Sequence, residues 1–304
     1  MMPDISVQIA SLHLKNPVIA ASGTFGYGQE YAGLVEDGVF GALVTKGISL
    51  LPAPGNPGPR IVETPSGMLN AIGLQNIGLE AFVSEKMPLL RACMTPVIVN
   101  FYGTTAEQYV ELAERLSDVE GIAALEANIS CPNIKQGGVS FGTDERMAAG
   151  ITERIRAATR LPLIVKLTPN AADIARIARS VEQAGADALS LINTLTGMVI
   201  DPETRRPLLA NITGGLSGPA IRPIAVRMVW QVCRAVRIPV IGLGGIMSAG
   251  DALQFLIAGA CAVQIGTGLF VDPAIAGRVA AGIRQYMEAH GFERLDQIVG
   301  SLIV

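Results

Sequence analysis

The stretch of the chain most suggestive of chemistry is Asn-Ile-Ser-Cys-Pro-Asn at residues 128–133. Asn128 and Asn133 offer amide donors and acceptors without charge, and Cys131 between them can accept a proton once it is ionised. Pro132 ends the strand that the preceding apolar run predicts, because proline cannot donate to a sheet. This cluster suits a planar polar ligand that must lose a proton. The alternative is a buried structural cysteine beside a turn.

Other residue types for proton transfer or metal binding are scarce. The two histidines, His13 and His290, lie near the termini, so we do not expect the most common general base in the site. The four cysteines, at positions 93, 131, 233 and 261, show no C-x-x-C spacing and no ferredoxin-like run. We therefore expect no metal site and no disulfide framework, and a reduced, cytoplasmic setting.

The composition excludes several classes of partner. Half of the 304 residues are hydrophobic and only 16% are charged, which favours a large core with both faces of a sheet covered. The net charge of −3 gives no indication of nucleic acid binding. Residues 1–10 carry Asp4 and no basic region, so they do not resemble a signal peptide. The near-apolar stretch 252–271 is interrupted by Gln254, Gln264 and glycines, which predicts a helix, a turn and a strand instead of a membrane span.

The strands that must position these residues come as eight short β-type runs separated by helical patterns. The runs are Val18–Ala21, Ala42–Thr45, Val97–Asn100, Ala124–Asn128, Leu163–Lys166, Ala188–Asn193, Val240–Gly242 and Ala262–Ile265. Eight alternating units predict an α/β fold of the (β/α)8 TIM-barrel type, with a doubly wound sheet as the alternative. No linker or shift in composition divides the chain, so we expect one domain over residues 1–304. Residues 5–15 alternate like a strand and predict an N-terminal hairpin beneath the barrel.

Helix starts and long loops complete the sequence-based picture. Thr104 with Glu107 predicts a capping box, and Asp272-Pro273 predicts an N-cap followed by a proline at the first helical position. Three connections, 47–78, 132–143 and 194–218, are long and rich in glycine or proline, which is typical of functional loops. In a barrel all three would lie at the C-terminal face, where active sites are built. The second, around Gly137-Gly138, is predicted to act as a lid.

The predicted strand ends are all polar residues or glycines. They are Ser22-Gly23, Lys46-Gly47, Asn100, Asn128 with Cys131, Lys166, Asn193-Thr194, Gly244-Gly245 and Gly266-Thr267. The last two pairs end strands seven and eight, where barrels commonly bind phosphate. Lys166 would project into the mouth and suits the negative charge of a reduced flavin, whereas a salt bridge to a barrel carboxylate is the alternative. Lys46 suits a flavin or a substrate carboxylate. No strand is followed by G-x-G-x-x-G, so a Rossmann-type dinucleotide site is not supported.

Together these residues resemble the soluble, class 1 dihydroorotate dehydrogenases over essentially the whole chain. The matching motifs are residues 128–133, Ala21-Ser22-Gly23, Thr45-Lys46-Gly47, residues 70–76, Asn193-Thr194, residues 214–218, Gly244-Gly245 and Gly266-Thr267. The resemblance implies a (β/α)8 barrel that binds one FMN at the carboxyl ends of its strands and oxidises (S)-dihydroorotate to orotate in pyrimidine (UMP) biosynthesis.

The resemblance also assigns roles to residues. Cys131 would be the catalytic base. The FMN ligands would be Ser22, Lys46, Gly47, Asn100, Asn128, Lys166, Ile192, Gly218, Gly244, Gly245, Gly266 and Thr267. The substrate ligands would be Lys46, Asn70, Ala71, Ile72, Gly73, Leu74, Asn128, Asn193 and Thr194. Membrane-bound members use serine as the base and carry an N-terminal amphipathic extension, and this chain is less similar to them.

Residues 22–28 and 70–76 look most like the NAD-linked class 1B. That class implies a partner subunit with FAD and a [2Fe-2S] cluster, in a heterotetramer of two catalytic and two partner chains. This sequence has no iron–sulfur cluster motif and no Rossmann motif, which agrees with a partner subunit that carries these cofactors. The alternatives are a fumarate-linked homodimer, another FMN barrel such as a dihydropyrimidine or dihydrouridine enzyme, a phosphate-binding barrel without flavin, and a non-catalytic scaffold.

Overall fold

Eight parallel strands close into a barrel in the computed structural model, which describes residues 2–36, 38–130, 135–136 and 139–304. For residues 135, 136, 139 and 140 only the backbone is described. Cys131 and the Gly137-Gly138 pair of the predicted lid lie outside the described residues.

The strands of the barrel alternate with helices along the chain, and the remaining strands lie in the hairpin and in the long loops. The strands are β1 (Val7–Ile9), β2 (Leu12–Leu14), β3 (Val18–Ala20), β4 (Ala42–Val44), β5 (Ile61–Thr64), β6 (Gly67–Asn70), β7 (Val97–Phe101), β8 (Ile122–Asn128), β9 (Lys135–Gln136), β10 (Val139–Ser140), β11 (Leu163–Lys166), β12 (Ala188–Leu191), β13 (Leu195–Gly197), β14 (Ile200–Asp201), β15 (Arg206–Pro207), β16 (Gly214–Ser217), β17 (Val240–Leu243) and β18 (Ala262–Ile265). The helices are α1 (Gly78–Ala81), α2 (Met87–Arg91), α3 (Ala106–Ser117), α4 (Glu145–Ala158), α5 (Ile174–Gln183), α6 (Arg222–Cys233), α7 (Ala249–Ala258), α8 (Gly268–Val271) and α9 (Ile275–His290).

The barrel order is β3-β4-β7-β8-β11-β12-β17-β18, and β18 pairs with β3 to close it. Closure confirms the predicted barrel and excludes the doubly wound sheet, and all eight predicted strands are present. The register sets polar residues of neighbouring strands side by side: Asn100 opposite Glu126, Asn128 opposite Lys166, and Lys166 opposite Ser190.

Side chains alternate between the two faces of the barrel wall, as the period of a strand requires. One set packs outward against the surrounding helices, where the apolar stripe of α5 is buried. The other set fills the barrel interior, mostly with alanine, valine and isoleucine. The predicted hairpin is confirmed as β1 and β2, and Ile9, Leu12 and Leu14 from it join this interior cluster. The lower part of the barrel is therefore a packed apolar plug.

Two predicted helix starts were wrong by one to a few residues. The N-cap of α3 is Thr105, whose hydroxyl accepts from the Gln108 amide, while Thr104 donates to the Gln108 side chain. Helix α9 begins at Ile275, and Asp272 instead accepts a hydrogen bond from the Ala274 amide ahead of it. Within the described ranges, no helix has the length and apolar character needed to span a membrane.

Two of the predicted long loops combine their strands in one sheet. β5 and β6, from the connection after β4, pair with β16 and β13, from the connection after β12, in a four-stranded antiparallel sheet of order β13-β16-β6-β5. The sequence-based picture left these segments as loops because they are short and rich in glycine and proline. The sheet stands at the carboxyl ends of the barrel strands and forms one wall of the mouth.

Candidate active site

A layer of polar side chains lies in the barrel interior directly above the apolar plug. Its members are Asn100, Glu126, Lys166, Ser190 and Gln264, and each is at most 5% exposed. Each occupies an inward position two residues after an apolar one on the same strand, namely Ile98, Ala124, Ile164, Ala188 and Ala262. Because buried polar groups are costly unless they are paired, this layer requires an internal network or a ligand.

Glu126 forms the centre of that network. Its Oε1 accepts a hydrogen bond from Asn100 Nδ2 at 2.8 Å and lies 3.8 Å from Lys166 Nζ. Its Oε2 accepts from Ser190 Oγ at 2.9 Å and from Gln264 Nε2 at 2.8 Å. The alternative that the sequence left open for Lys166, an ion pair with a barrel carboxylate, is therefore present.

Two buried acceptors of this layer remain without a partner. Among the described residues, no hydrogen bond reaches Asn100 Oδ1 or Gln264 Oε1. Asn100 Oδ1 lies 2.8 Å from the place where a Cβ on Gly47 would stand, so the carbonyl oxygen is directed at the backbone of the mouth. Such acceptors suit a ligand with an N–H edge.

A second group of hydrogen bonds joins the ends of β8 and β12. Asn193 Nδ2 donates to Ser130 Oγ at 2.5 Å, and Ser130 Oγ donates to Asn128 Oδ1 at 2.6 Å. The Tyr109 hydroxyl donates to the Asn128 carbonyl at 2.8 Å from below. The amide nitrogen of Asn128 is thereby left to donate elsewhere, since its oxygen is already an acceptor.

Lys46 brings positive charge to the opposite side of the mouth. It follows β4, and its backbone amide donates to the Gly26 carbonyl. Burial lowers the pKa of the Lys46 ammonium, and the nearby Arg60 guanidinium lowers it further, while Glu30 acts in the other direction. Ser22 is fixed beside it, because its hydroxyl donates to the Thr45 carbonyl at 2.7 Å.

Backbone lines the mouth above β17 and β18. Gly245 has a φ of 73°, and a Cβ there would lie 2.7 Å from the Gly218 carbonyl oxygen. Gly218 has a φ of 95°, and its Cβ would lie 2.6 Å from Gly67 Cα. Thr267 Oγ1 donates to Ser217 Oγ at 2.8 Å. Only glycine allows this close approach of chain segments, and glycine at such positions also lets a ligand approach the backbone closely.

The segment 70–74 leads away from β6 along the antiparallel sheet. Asn70 Nδ2 donates to the Gly215 carbonyl at 3.4 Å, and Thr194 packs against Gly215. The Ile72 carbonyl accepts from the Asn56 amide, and the Leu74 carbonyl accepts from the Tyr102 hydroxyl. These bonds fix the segment opposite Asn193 and Thr194.

The structure thus gathers the described predicted site residues at one end of the barrel. Ile192 joins them through its amide, which donates to the Leu243 carbonyl, and Gly244 and Gly266 lie at the ends of β17 and β18. Cys131 lies outside the described residues, so its position is known only as the residue after Ser130. Sequence reasoning missed Glu126, Ser190, Gln264 and Ser130. The signal for Glu126 and Gln264 was a polar residue at an inward position of an otherwise apolar strand.

The sequence of the chain is similar to those of a known family of enzymes. A family model described as dihydroorotate dehydrogenase matches residues 4–287. Two similar proteins are named dihydroorotate dehydrogenase B (NAD(+)), catalytic subunit. The protein from Pelobacter propionicus is 59% identical over 302 residues, and that from Trichlorobacter lovleyi is 60% identical over 302 residues, with 99% of each chain covered in both cases.

The fold is similar to a solved structure of a distant protein. The crystal structure of DHODH from Eimeria tenella in complex with ferulenol superimposes with a TM-score of 0.82 at 22% identity, and covers 98% of this chain and 88% of that one. At this identity the similarity concerns the fold alone.

Proposed function

Since the chain belongs to the dihydroorotate dehydrogenase family, we propose that it oxidises (S)-dihydroorotate to orotate with FMN in pyrimidine biosynthesis, as the catalytic subunit of an NAD-linked enzyme. The similar proteins that carry this name match it from end to end. The observation that carries the proposal is the polar layer around Glu126, with two unpartnered acceptors and an ammonium beneath a glycine-lined mouth.

The residues of the mouth fit FMN. The flavin ring is planar and has an N–H between two carbonyls, so its edge can donate to an unpartnered acceptor such as Asn100 Oδ1 and accept from Lys166. The close approach of Gly245 to Gly218 leaves backbone amides for the phosphate. The proposed ligands of the single FMN are Ser22, Lys46, Gly47, Asn100, Asn128, Lys166, Ile192, Gly218, Gly244, Gly245, Gly266 and Thr267.

The proposed substrate site lies between the antiparallel sheet and the end of β12. Dihydroorotate carries a carboxylate and a ring with amide groups, which suit the Lys46 ammonium and the side-chain amides of Asn128 and Asn193. The full proposed set is Lys46, Asn70, Ala71, Ile72, Gly73, Leu74, Asn128, Asn193 and Thr194. Because Ser130 links the two amides, the end of β8 and the end of β12 present one preformed surface to the ring.

Cys131 is the proposed base. As a thiolate it would remove a proton from C5 of the substrate, which is acidic because it lies next to the C4 carbonyl. When bound, FMN supplies the acceptor for the hydride that leaves C6, and the C5–C6 double bond of orotate results. Asn128 and Asn193 would hold the ring so that C5 faces the thiolate.

Electrons must then leave the chain. The name of the similar proteins includes a catalytic subunit, which supports a partner subunit. We infer that the partner carries FAD and a [2Fe-2S] cluster and that two of each chain assemble in the cytoplasm. The four cysteines without cluster spacing support a partner that holds the cluster.

Anaerobic stopped-flow spectroscopy of the FMN-loaded chain tests the function. Dihydroorotate should bleach the flavin absorbance, and orotate should form in equal amount. Reoxidation by NAD should then require an added iron–sulfur partner. Reoxidation by fumarate without a partner would instead indicate the fumarate-linked class, and a flavin that stays oxidised would contradict the dehydrogenase proposal.

A further inference from the structure

Glu126 has no role in the function proposed above, although it is the most connected polar residue of the barrel interior. Its side chain is fully buried, and its carboxylate contacts residues from β7, β11, β12 and β18. With its own strand β8, it joins five of the eight barrel strands at one level. The apolar cluster beneath excludes water from that side.

Three neighbours of the carboxylate donate hydrogen bonds to it, and the fourth, Lys166, forms an ion pair at 3.8 Å. A carboxylate offers acceptors only, and the amide groups of Asn100 and Gln264 each place their NH2 against it. An amide that gives its nitrogen to Glu126 must turn its oxygen away. This explains why Asn100 Oδ1 and Gln264 Oε1 are both buried and both without a partner among the described residues.

The same carboxylate stands next to a buried cation. Lys166 Nζ lies 3.8 Å from Glu126 Oε1, and both side chains are less than 10% exposed. At that depth charges are weakly screened, so the negative charge of Glu126 offsets part of the field of Lys166. A group that binds above Lys166 experiences both charges.

We propose that Glu126 is a positioning residue for the flavin, which holds the Asn100 and Gln264 amides with their carbonyl oxygens toward the cofactor and moderates the charge of Lys166. This inference rests on the proposed function, because it requires FMN at the mouth. Lys166 and Glu126 together would therefore determine how strongly the site prefers reduced FMN to oxidised FMN. Lys166 favours the anionic reduced flavin, and Glu126 limits that preference so that electrons can leave again.

The isosteric variant Glu126→Gln removes the charge and brings a third NH2 group to a place where the NH2 groups of Asn100 and Gln264 already donate. Either the Asn100 or the Gln264 amide must then reverse, and Lys166 is left without its counter-charge. We expect the affinity for reduced FMN to rise relative to that for oxidised FMN by about tenfold or more, which corresponds to a midpoint potential about 30 mV more positive for a two-electron couple.

Two further variants separate charge and geometry from mere packing. Ser190→Ala removes a neutral donor to Glu126 and keeps the carboxylate, so the ratio of the two affinities should stay within about twofold of wild type. Glu126→Asp keeps a negative charge in the polar layer beside Lys166. Its potential should therefore stay near the wild-type value.

The test is an anaerobic redox titration of each FMN-loaded full-length variant, with the affinities for oxidised and reduced FMN measured separately. A Glu126→Gln protein with the wild-type potential would overturn the inference. If that variant does not fold, Glu126→Asp decides, because a folded Asp variant with a potential far from wild type also contradicts the inference. A wild-type chain that binds no FMN is a different outcome, since it contradicts the proposed function itself.

Discussion

Asn193 Nδ2 lies 2.5 Å from Ser130 Oγ, so the second residue after β12 is bonded directly to the residue that precedes Cys131 in the chain. Ser130 passes the connection on to Asn128 Oδ1 at 2.6 Å. One hydroxyl therefore orients two amides from strands that are two positions apart in the barrel. The proposed base, Cys131, is the next residue in the chain after this hydroxyl.

Replacement of Ser130 by alanine should disturb substrate orientation more than stability. Asn193 Nδ2 would lose its partner, whereas Asn128 Oδ1 would keep the backbone amide of residue 130 at 3.3 Å, so the loss of stability should be about 1 kcal/mol. We expect kcat/KM for flavin reduction by dihydroorotate to fall about tenfold to a hundredfold. Ser180→Ala on the exposed side of α5 is the matched control. Wild-type kcat/KM in Ser130→Ala would contradict the orienting role.

The proposed base predicts a characteristic pH dependence. An unperturbed thiol has a pKa of about 8.5, so flavin reduction should accelerate as the pH rises toward that value. Cys131→Ala should slow the step by about 10²–10⁴-fold. Cys131→Ser should move the rise to higher pH, because a hydroxyl ionises less readily than a thiol.

The control for this prediction is Cys233, a partly buried thiol at the end of α6. Burial raises the pKa of Cys233 to about 12, so it stays protonated in the relevant range. Cys233→Ala should leave the pH profile of flavin reduction unchanged. A flat profile in wild type, or reduction at the wild-type rate in Cys131→Ala, would remove Cys131 from the mechanism.

Lys46 should lower the stability of the folded protein at neutral pH while it contributes to the binding of dihydroorotate. Burial and Arg60 hold its folded-state pKa below the ordinary value of 10.5. Folding therefore carries a penalty while the lysine is protonated in both states, and this penalty is lost as the pH rises from the folded pKa to 10.5. Lys46→Met should thus raise the Tm of the FMN-free protein at neutral pH, with a difference that shrinks toward alkaline pH.

Calorimetry over a pH series measures this effect, and steady-state kinetics should show a raised KM for dihydroorotate in the same variant. The exposed Lys15 provides the comparison, since Lys15→Met removes an equal charge from the far end of the barrel. A Lys46→Met protein less stable than wild type at neutral pH would show that the ammonium has a stabilising partner.

Gly245 should tolerate no side chain, for two separable reasons. Gly245 and Gly291 share a φ of 73°, but a Cβ on Gly291 would meet nothing within 4 Å, whereas on Gly245 it would meet the Gly218 carbonyl at 2.7 Å. Gly291→Ala should therefore cost only the backbone strain, about 1–2 kcal/mol. Gly245→Ala should cost about 1–3 kcal/mol more and should weaken FMN binding.

Urea unfolding of both variants and titration with FMN measure the two effects. FMN affinity should be unchanged in Gly291→Ala, which lies after α9 and away from the mouth. Equal losses of stability in the two variants would mean that the contact between Gly245 and Gly218 relaxes without cost.

The barrel could be predicted from the sequence because its strands are short apolar runs that all end in polar residues or glycine. Asn100, Asn128 and Lys166 stood out because each terminates such a run, and parallel strands bring their carboxyl ends together. The helix starts were predicted less accurately, since Thr104 and Thr105 are both good caps and only the backbone conformation distinguishes them.

Residues within the strands escaped prediction for a different reason. Glu126 and Gln264 precede the strand ends and look like interruptions until the period of two shows that both face inward. Their contact joins residues 138 positions apart, and no local pattern encodes such a pair. The hydroxyl of Ser130 was visible in the motif, but its partner Asn193 came from a strand two places away.

The antiparallel sheet over the mouth has a consequence for the order in which the protein is made. Asn70 meets Gly215 across 145 residues of chain, and β6 pairs with β16 over the same span. Contacts between residues so far apart in the sequence form late, because closing the intervening chain first costs conformational entropy. A nascent chain still attached to the ribosome lacks this wall until Ser217 has emerged from the exit tunnel. We therefore expect that fragments ending before β16 can acquire barrel strands without acquiring the ability to hold dihydroorotate.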